Sequence, residues 1–316
     1  IADAVARRFA ADVDPSLLEE ARLAHFRRTL VKLCEKGQIS VVERIADHDD
    51  LRRVAIRHLE TEGRLAAADR LAKVWRLREE LSSDDGAVAR DVARRRHRYL
   101  QWDDTTLDHP PPDVVDTADD VAPAVASLLR TTTTTKDDDD EPIGFDVEWG
   151  ADCKATLLQL ATTTTVVLFD LKTLLVSDAG ADALRIHVAP LLLRPTLVGF
   201  GVGQDLRRLR ESGPWFSADA HPIDLQALVR DRRRQRNDDD INGDDARRTP
   251  PTAAADPGKH PPGLATVAHW YLGKSLDKYE QCSRWDLRPL SLDQRTYAAL
   301  DAWVCAAVYA KLTSHD

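Results

Sequence analysis

The hydrophobic period changes once along this chain, and that change limits the folds open to it. Up to about residue 105 the apolar residues keep helical spacing. Leu17, Leu18, Ala21, Leu23 and Ala24, followed by Leu30 and Leu33, form one stripe. Asp14-Pro15 supplies an N-cap and a first-turn proline, and Gly37 closes that helix. Further helices are predicted over Val41–Ile45, Asp50–Leu59 and Arg64–Leu77, the last two separated by Gly63. No fixed repeat period joins them, so the region reads as a small helical array rather than a solenoid. From residue 142 the period becomes two. Ile143-Gly-Phe-Asp-Val-Glu-Trp149 alternates as a strand, and Ala155–Ala161 and Val166–Asp170 complete a meander. A helix near Ala181–Val188, a strand at Thr196–Phe200 and a helix at Val202–Glu211 follow. Helices at Gly263–Leu272 and Ser291–Leu312 end the chain. The expected class is α/β, a mixed sheet covered by flanking helices and preceded by an all-α N-terminal region.

Two segments lack either period. Residues 106–141 contain Pro110–Pro112, Thr131–Thr135 and Asp137–Asp140, and read as a linker interrupted by one short helix at Val121–Leu129. Residues 231–262 contain Arg232-Arg-Arg-Gln-Arg, Asp238-Asp-Asp and two proline pairs, and read as a disordered insertion. The domains expected are therefore a helical one over 1–105 and an α/β one over 142–316.

Charge placement matters more than its total. The chain carries 44 Lys and Arg against 53 Asp and Glu, a net charge of -9 that argues against a nucleic-acid partner. Yet Asp137–Asp140, Asp238–Asp240 and Asp244–Asp245 supply nine acids, the size of the whole deficit. Outside those runs the chain is nearly neutral. The basic cluster Arg94–Arg98 is read as a solvated helix face or as a phosphate contact. Cys34, Cys153, Cys282 and Cys305 form no close pair, which fits a reducing, intracellular compartment, cytoplasmic or nuclear. No stretch reaches the roughly 18 apolar residues of a membrane helix, and the first residues show no secretory pattern.

The chemistry is carried by carboxylates. Asp146 and Glu148 stand two apart on one strand and so point to one face, with Phe145, Val147 and Trp149 on the other. Such a pair is either a solvent-facing edge feature or a place where a divalent cation compensates two partly buried charges. Asp205 follows a strand and a glycine-containing junction, Val198-Gly-Phe-Gly-Val-Gly-Gln-Asp. Gly199, Gly201 and Gly203 do not have dinucleotide-fingerprint spacing. Arg207, Arg208 and Arg210 beside them are surface helix charge or phosphate contacts. Tyr297 and Asp301 lie four apart on the last helix, hence on one face. Four acids without a His or Cys cluster favour Mg or Mn over Zn and suggest two-metal phosphodiester chemistry.

These residues fall in a familiar order. Ile143-Gly-Phe-Asp-Val-Glu-Trp resembles the first motif of the DEDD 3'-5' exonucleases, Asp205 the second motif's acid, and Tyr297-Ala-Ala-Leu-Asp301 the third in its tyrosine (DEDDy) form. The string from Leu272 to Leu290, with Lys274, Lys278, Gln281, Trp285, Arg288 and then Gln294, is similar to the ribonuclease D, Werner-exonuclease and mut-7/Nibbler group, nearest its mut-7-like branch. The resemblance covers roughly residues 142–314. It implies a ribonuclease H-like fold and release of nucleoside 5'-monophosphates from a free 3' end. It also implies two ions held by Asp146, Glu148, Asp205 and Asp301, and a water positioned by Tyr297. Leu158 and Gln159 would border the terminal nucleotide, and Lys278 or Arg288 would meet phosphate; Arg207 stays a candidate phosphate contact from its place in the basic helix start.

The function expected is metal-dependent 3'-5' exonuclease action on the 3' end of single-stranded RNA, including small-RNA trimming. A DNA exonuclease and a non-catalytic nucleic-acid-binding scaffold are the alternatives. The helical region is a candidate surface for a protein partner.

Overall fold

A computed structural model describes residues 15–107, 110–129, 141–150, 152–217, 219–242 and 262–314. They form two compact units, one of helices alone and one built on a sheet.

The first unit contains helices α1 (Pro15–Glu35), α2 (Ile39–Ile45), α3 (Asp49–Thr61), α4 (Leu65–Trp75) and α5 (Asp85–Arg98), together with the short turn Lys278–Ser283. Gly37 and Gly63 adopt φ of +73° and +69°, the left-handed geometry that ends a helix cheaply only with glycine. The periodic stripe closes on itself as Leu30, Val42, Leu51, Ile56, Leu59 and Leu71, all buried in one core with Tyr279. Arg70 and Arg95 flank the Tyr279 ring at 4.5 and 5.0 Å, and Arg70 pairs with the buried Glu280. Within the Arg94–Arg98 cluster, Arg94 is paired to Asp91 and Arg96 is exposed.

The second unit holds β1 (Val114–Val115), β2 (Ile143–Trp149), β3 (Ala155–Ala161), β4 (Val166–Phe169), β5 (Leu197–Gly199) and β6 (Ile223–Asp224) in one sheet of order β1-β4-β3-β2-β5-β6. β2, β3 and β4 are antiparallel neighbours, whereas β1, β5 and β6 join in parallel. Its helices are α6 (Ala118–Leu129), α7 (Leu171–Leu174), α8 (Asp178–Ala183), α9 (Gly203–Glu211), α10 (Leu225–Asn242), α11 (Leu264–Leu272) and α12 (Leu292–Thr313). This is a mixed sheet flanked by helices, the class expected from the sequence. No described helix is long and apolar enough to cross a membrane.

Strand alternation sorts the sheet into two faces. Ile143, Phe145 and Val147 join Leu158, Leu160 and Phe169 in a core beneath α6. Leu157, Ala161, Leu168 and Val198 join the opposite core with Ala298, Ala302, Trp303 and Val308 of α12. Gly144 explains how closely α12 lies on β2. A Cβ there would stand 2.0 Å from the Ala302 carbonyl oxygen and 2.8 Å from the Ala306 nitrogen. Ser291 and Gln294 start α12 with a reciprocal capping box: the Gln294 N–H donates to Ser291 Oγ at 3.2 Å, and the Ser291 N–H to Gln294 Oε1 at 2.9 Å.

Three expectations change. The helical unit stops at Arg98 rather than 105, because Leu100 is buried in the α12-side core and its N–H donates to the Ser275 carbonyl at 2.8 Å. Part of the expected 106–141 linker belongs to the sheet unit. Val114 and Val115 pair with Leu168 and Phe169, and the short helix expected at Val121–Leu129 is α6, whose Val121, Val125 and Leu128 are core residues rather than part of a linker. Residues 231–242 of the expected disordered insertion continue α10, while 243–261 and the 130–140 run lie outside the described residues.

Candidate metal and nuclease site

β2 presents Asp146 and Glu148 on its α12 face, and α12 brings Asp301 down onto them. One carboxylate oxygen from each lies within 4.8 Å of the others. The close approach permitted by Gly144 and the alanines of α12 is what makes this meeting possible. Glu148 and Asp301 are only 8% and 7% exposed, and Asp146 is half-buried. Burial pushes the Asp146 carboxyl well above the usual carboxylate range, and the charges of Asp205 and Asp301 push it further.

Tyr297 completes this corner from one turn earlier on α12. Its phenol is raised well above its ordinary value by burial first, then by Asp301, Glu148 and Asp146, and by a hydrogen bond that it shares with Asp301. It therefore stays neutral, with a proton to donate, throughout the physiological range. Trp285 is buried against it, the two ring centroids 6.1 Å apart. Cys305 is buried one turn beyond Asp301, and burial and the surrounding acids hold its thiol protonated, so it is no thiolate ligand.

Asp205 lies outside the three-carboxylate group but bears on it electrostatically. It is 6% exposed at the start of α9, and burial, then Asp224, raise it from 3.8 to about 7. Every charge that shifts Asp146, Tyr297 and Asp205 is a carboxylate. An inward-facing group of oxygen donors that repel one another suits a hard divalent cation, and Asp146, Glu148 and Asp301 could hold one.

The other expected contacts divide. Gln159 is fully buried opposite Asp146 in the β2–β3 register; its amide donates to the Leu157 carbonyl at 3.4 Å and its Oε1 has no protein partner. Leu158 is a correction. Adjacent strand residues face opposite ways, and Leu158 sits in the α6-side core across from Val147. Arg288 is a second correction, because its guanidinium is spent inside the protein. It holds the buried Asp170 at 2.5 and 2.6 Å and donates to the carbonyls of Thr156 at 3.0 Å and Trp285 at 2.9 Å. Lys278 is exposed in the turn grouped with the helical unit. Arg207 is exposed on α9, 4.0 Å from Glu211, while Arg208 lies over the Trp149 ring at 5.7 Å. Two neighbours of the site were not foreseen, Asp224 and Cys305. Their only sequence signals are a carboxylate ending a short strand and a cysteine four residues after Asp301.

Residues 112–315 match the sequence profile of a family described as 3'-5' exonuclease. The exonuclease mut-7 homolog of Homo sapiens is 32% identical over 184 residues, which cover 54% of this chain and 20% of that protein. Exonuclease mut-7 of Caenorhabditis elegans is 51% identical over 51 residues, covering 16% of this chain and 6% of that protein. The chain thus matches only a small part of the length of these relatives. Among solved structures, the Nibbler EXO domain of Aedes aegypti is 25% identical, with a TM-score of 0.48 over 64% of this chain and 86% of that one.

Proposed function

This chain belongs to the 3'-5' exonuclease family, and from that premise we propose that it removes nucleotides from the 3' end of single-stranded RNA, trimming of small RNAs included. The observation that carries the reading is the convergence of Asp146, Glu148 and Asp301 within 4.8 Å beside a protonated Tyr297. Bound Mg or Mn, two ions in this reading, would stabilise charge on the attacking and leaving oxygens of the phosphodiester. Asp146, Glu148 and Asp301 would hold such ions, with Asp205 contributing from α9. The Tyr297 phenol, anchored by Asp301 and backed by Trp285, would orient the attacking water. Gln159 is the remaining polar side chain on this face of β3, and we place it beside the terminal nucleotide. Arg207 is free enough to meet a phosphate. RNA is preferred here on the resemblance of the motifs to the ribonuclease D and mut-7/Nibbler group, and the matched DNA strand is the competing substrate.

The test is digestion of 5'-labelled RNA and DNA of one sequence, with free and blocked 3' ends, in Mn or Mg. Stepwise shortening of free-ended RNA, abolished by Asp146→Asn and by chelation, is expected. Release that persists in Asp146→Asn would overturn the site, and preference for the DNA strand would overturn the substrate.

A further inference from the structure

The junction between β5 and α9 carries Asp205, and it is built from residues that confer little stiffness of their own. Glycines stand at 199, 201 and 203. Gly199 is there for space, since a Cβ would meet Phe145 at 2.5 Å and Val202 at 2.7 Å. Gly201 is there for conformation, with φ at +68°. A Cβ on Gly203 would meet nothing within 4 Å. Val202, at the start of α9, gives the helix no side-chain cap.

Asp224 supplies what the junction lacks. It ends β6 directly beside Gly199, its ladder partner on β5. One carboxylate oxygen, Oδ1, accepts the N–H of Gly201 at 3.0 Å and the N–H of Gln226 at 2.9 Å. The first bond holds the left-handed glycine of the junction; the second anchors the acceptor to the start of α10. Gln226 is itself tied down, its amide donating to the Pro262 carbonyl at 3.1 Å.

We infer that Asp224 is a positioning residue, which pins the β5–α9 junction through Gly201 and so sets where Asp205 presents its carboxylate to the Asp146 cluster. This rests on the proposed role of Asp205 in holding metal. Asp224 spends its Oδ1 on backbone N–H groups, so its positioning contribution is that of a fixed acceptor, separate from the effect of its charge on Asp205. Asparagine offers the same oxygen and should replace it; alanine should not. Residues that orient metal ligands typically change metal affinity by roughly 10–100-fold when lost.

The experiment compares the full chain with Asp224→Ala, Asp224→Asn and Asp205→Asn by Mn titration followed by electron paramagnetic resonance, alongside RNA digestion. Asp224→Ala is expected to weaken Mn binding by about 10-fold or more and to slow digestion, and Asp224→Asn to restore both. Unchanged Mn affinity in Asp224→Ala, or equal losses in the Ala and Asn variants, would overturn the positioning role. Asp205→Asn separates this inference from its premise. If it leaves Mn binding intact, the metal role of Asp205 falls and the inference with it. If it weakens binding while Asp224→Ala does not, only the positioning role falls. Should Asp224→Ala fail to fold, hydrogen exchange in the unaltered protein still decides. A protected Gly201 amide is required, and exchange at the rate of an open chain overturns the inference.

Discussion

At the scale of single residues, the site is an arrangement of charges that the fold holds together against their repulsion. Asp146, Glu148 and Asp301 share one small volume, where burial first and the neighbouring carboxylates second raise Asp146 and Tyr297. Tyr297 is the informative neighbour because its proton is bound to Asp301 and its ring is backed by Trp285. Phenylalanine keeps the ring packing and removes the hydroxyl. Tyr297→Phe is therefore expected to lower kcat on the order of 10²-fold, with KM nearly unchanged, because orientation of the attacking water is lost and substrate binding is not. Steady-state kinetics on a 5'-labelled RNA measures the split, and a rise in KM at constant kcat would contradict it. The acids and the tyrosine were readable from strand and helix periodicity together with the motif order. Arg288 was misjudged for a simple reason. An arginine's partner is set by what folds against it, and the buried Asp170 lies 118 residues away in the chain.

At the scale of elements, the site depends on how near α12 can come to β2. Gly144 and the alanines of α12 let backbone lie on backbone, and this brings Asp301 to the strand acids. Gly144→Ala would push a methyl group to within 2.0 Å of the Ala302 carbonyl oxygen, and neither backbone can step aside. A loss of about 3 kcal/mol or more is expected in urea unfolding, accompanied by weakened Mn binding because α12 carries Asp301. Wild-type stability in that variant would mean that the helix and strand are not held this closely. Elements with a strong period were legible in the sequence: β2 and β3 occupy the expected residues, and α12 differs by one residue at each end. The short helix expected at Val121–Leu129 is found as α6, but its place in the core was not legible, and neither was β1, since two valines give little signal until a sheet edge receives them. The helical course of 231–242 was missed for the opposite reason: its charged residues offered no apolar stripe to read.

At the scale of the whole molecule, protonation, metal and stability are linked. Asp205 is raised from 3.8 to about 7, so the folded state binds its proton more tightly than the unfolded chain does. That stability is fully present below about pH 4 and is lost as pH rises through about 7, a difference of up to about 4 kcal/mol for this group. Asp146 acts in the same direction. A divalent cation should offset the loss, so added Mn is expected to raise Tm more at pH 8 than at pH 5. Calorimetry with and without chelator checks this, and an equal shift at both values would contradict it. The net charge of -9 describes this behaviour poorly, because four acids in one unit matter more than the acidic runs. By itself, the sequence determined the change of period, the α/β class, the order of the motifs and the identity of the acids. All of these are local or spacing properties that survive in an unfolded chain. Tertiary structure alone decided which carboxylates meet, that Arg288 is spent on Asp170, and that Asp224 reaches Gly201. Those depend on contacts between residues distant along the chain, and on backbone approaches of a few ångströms that no spacing rule contains.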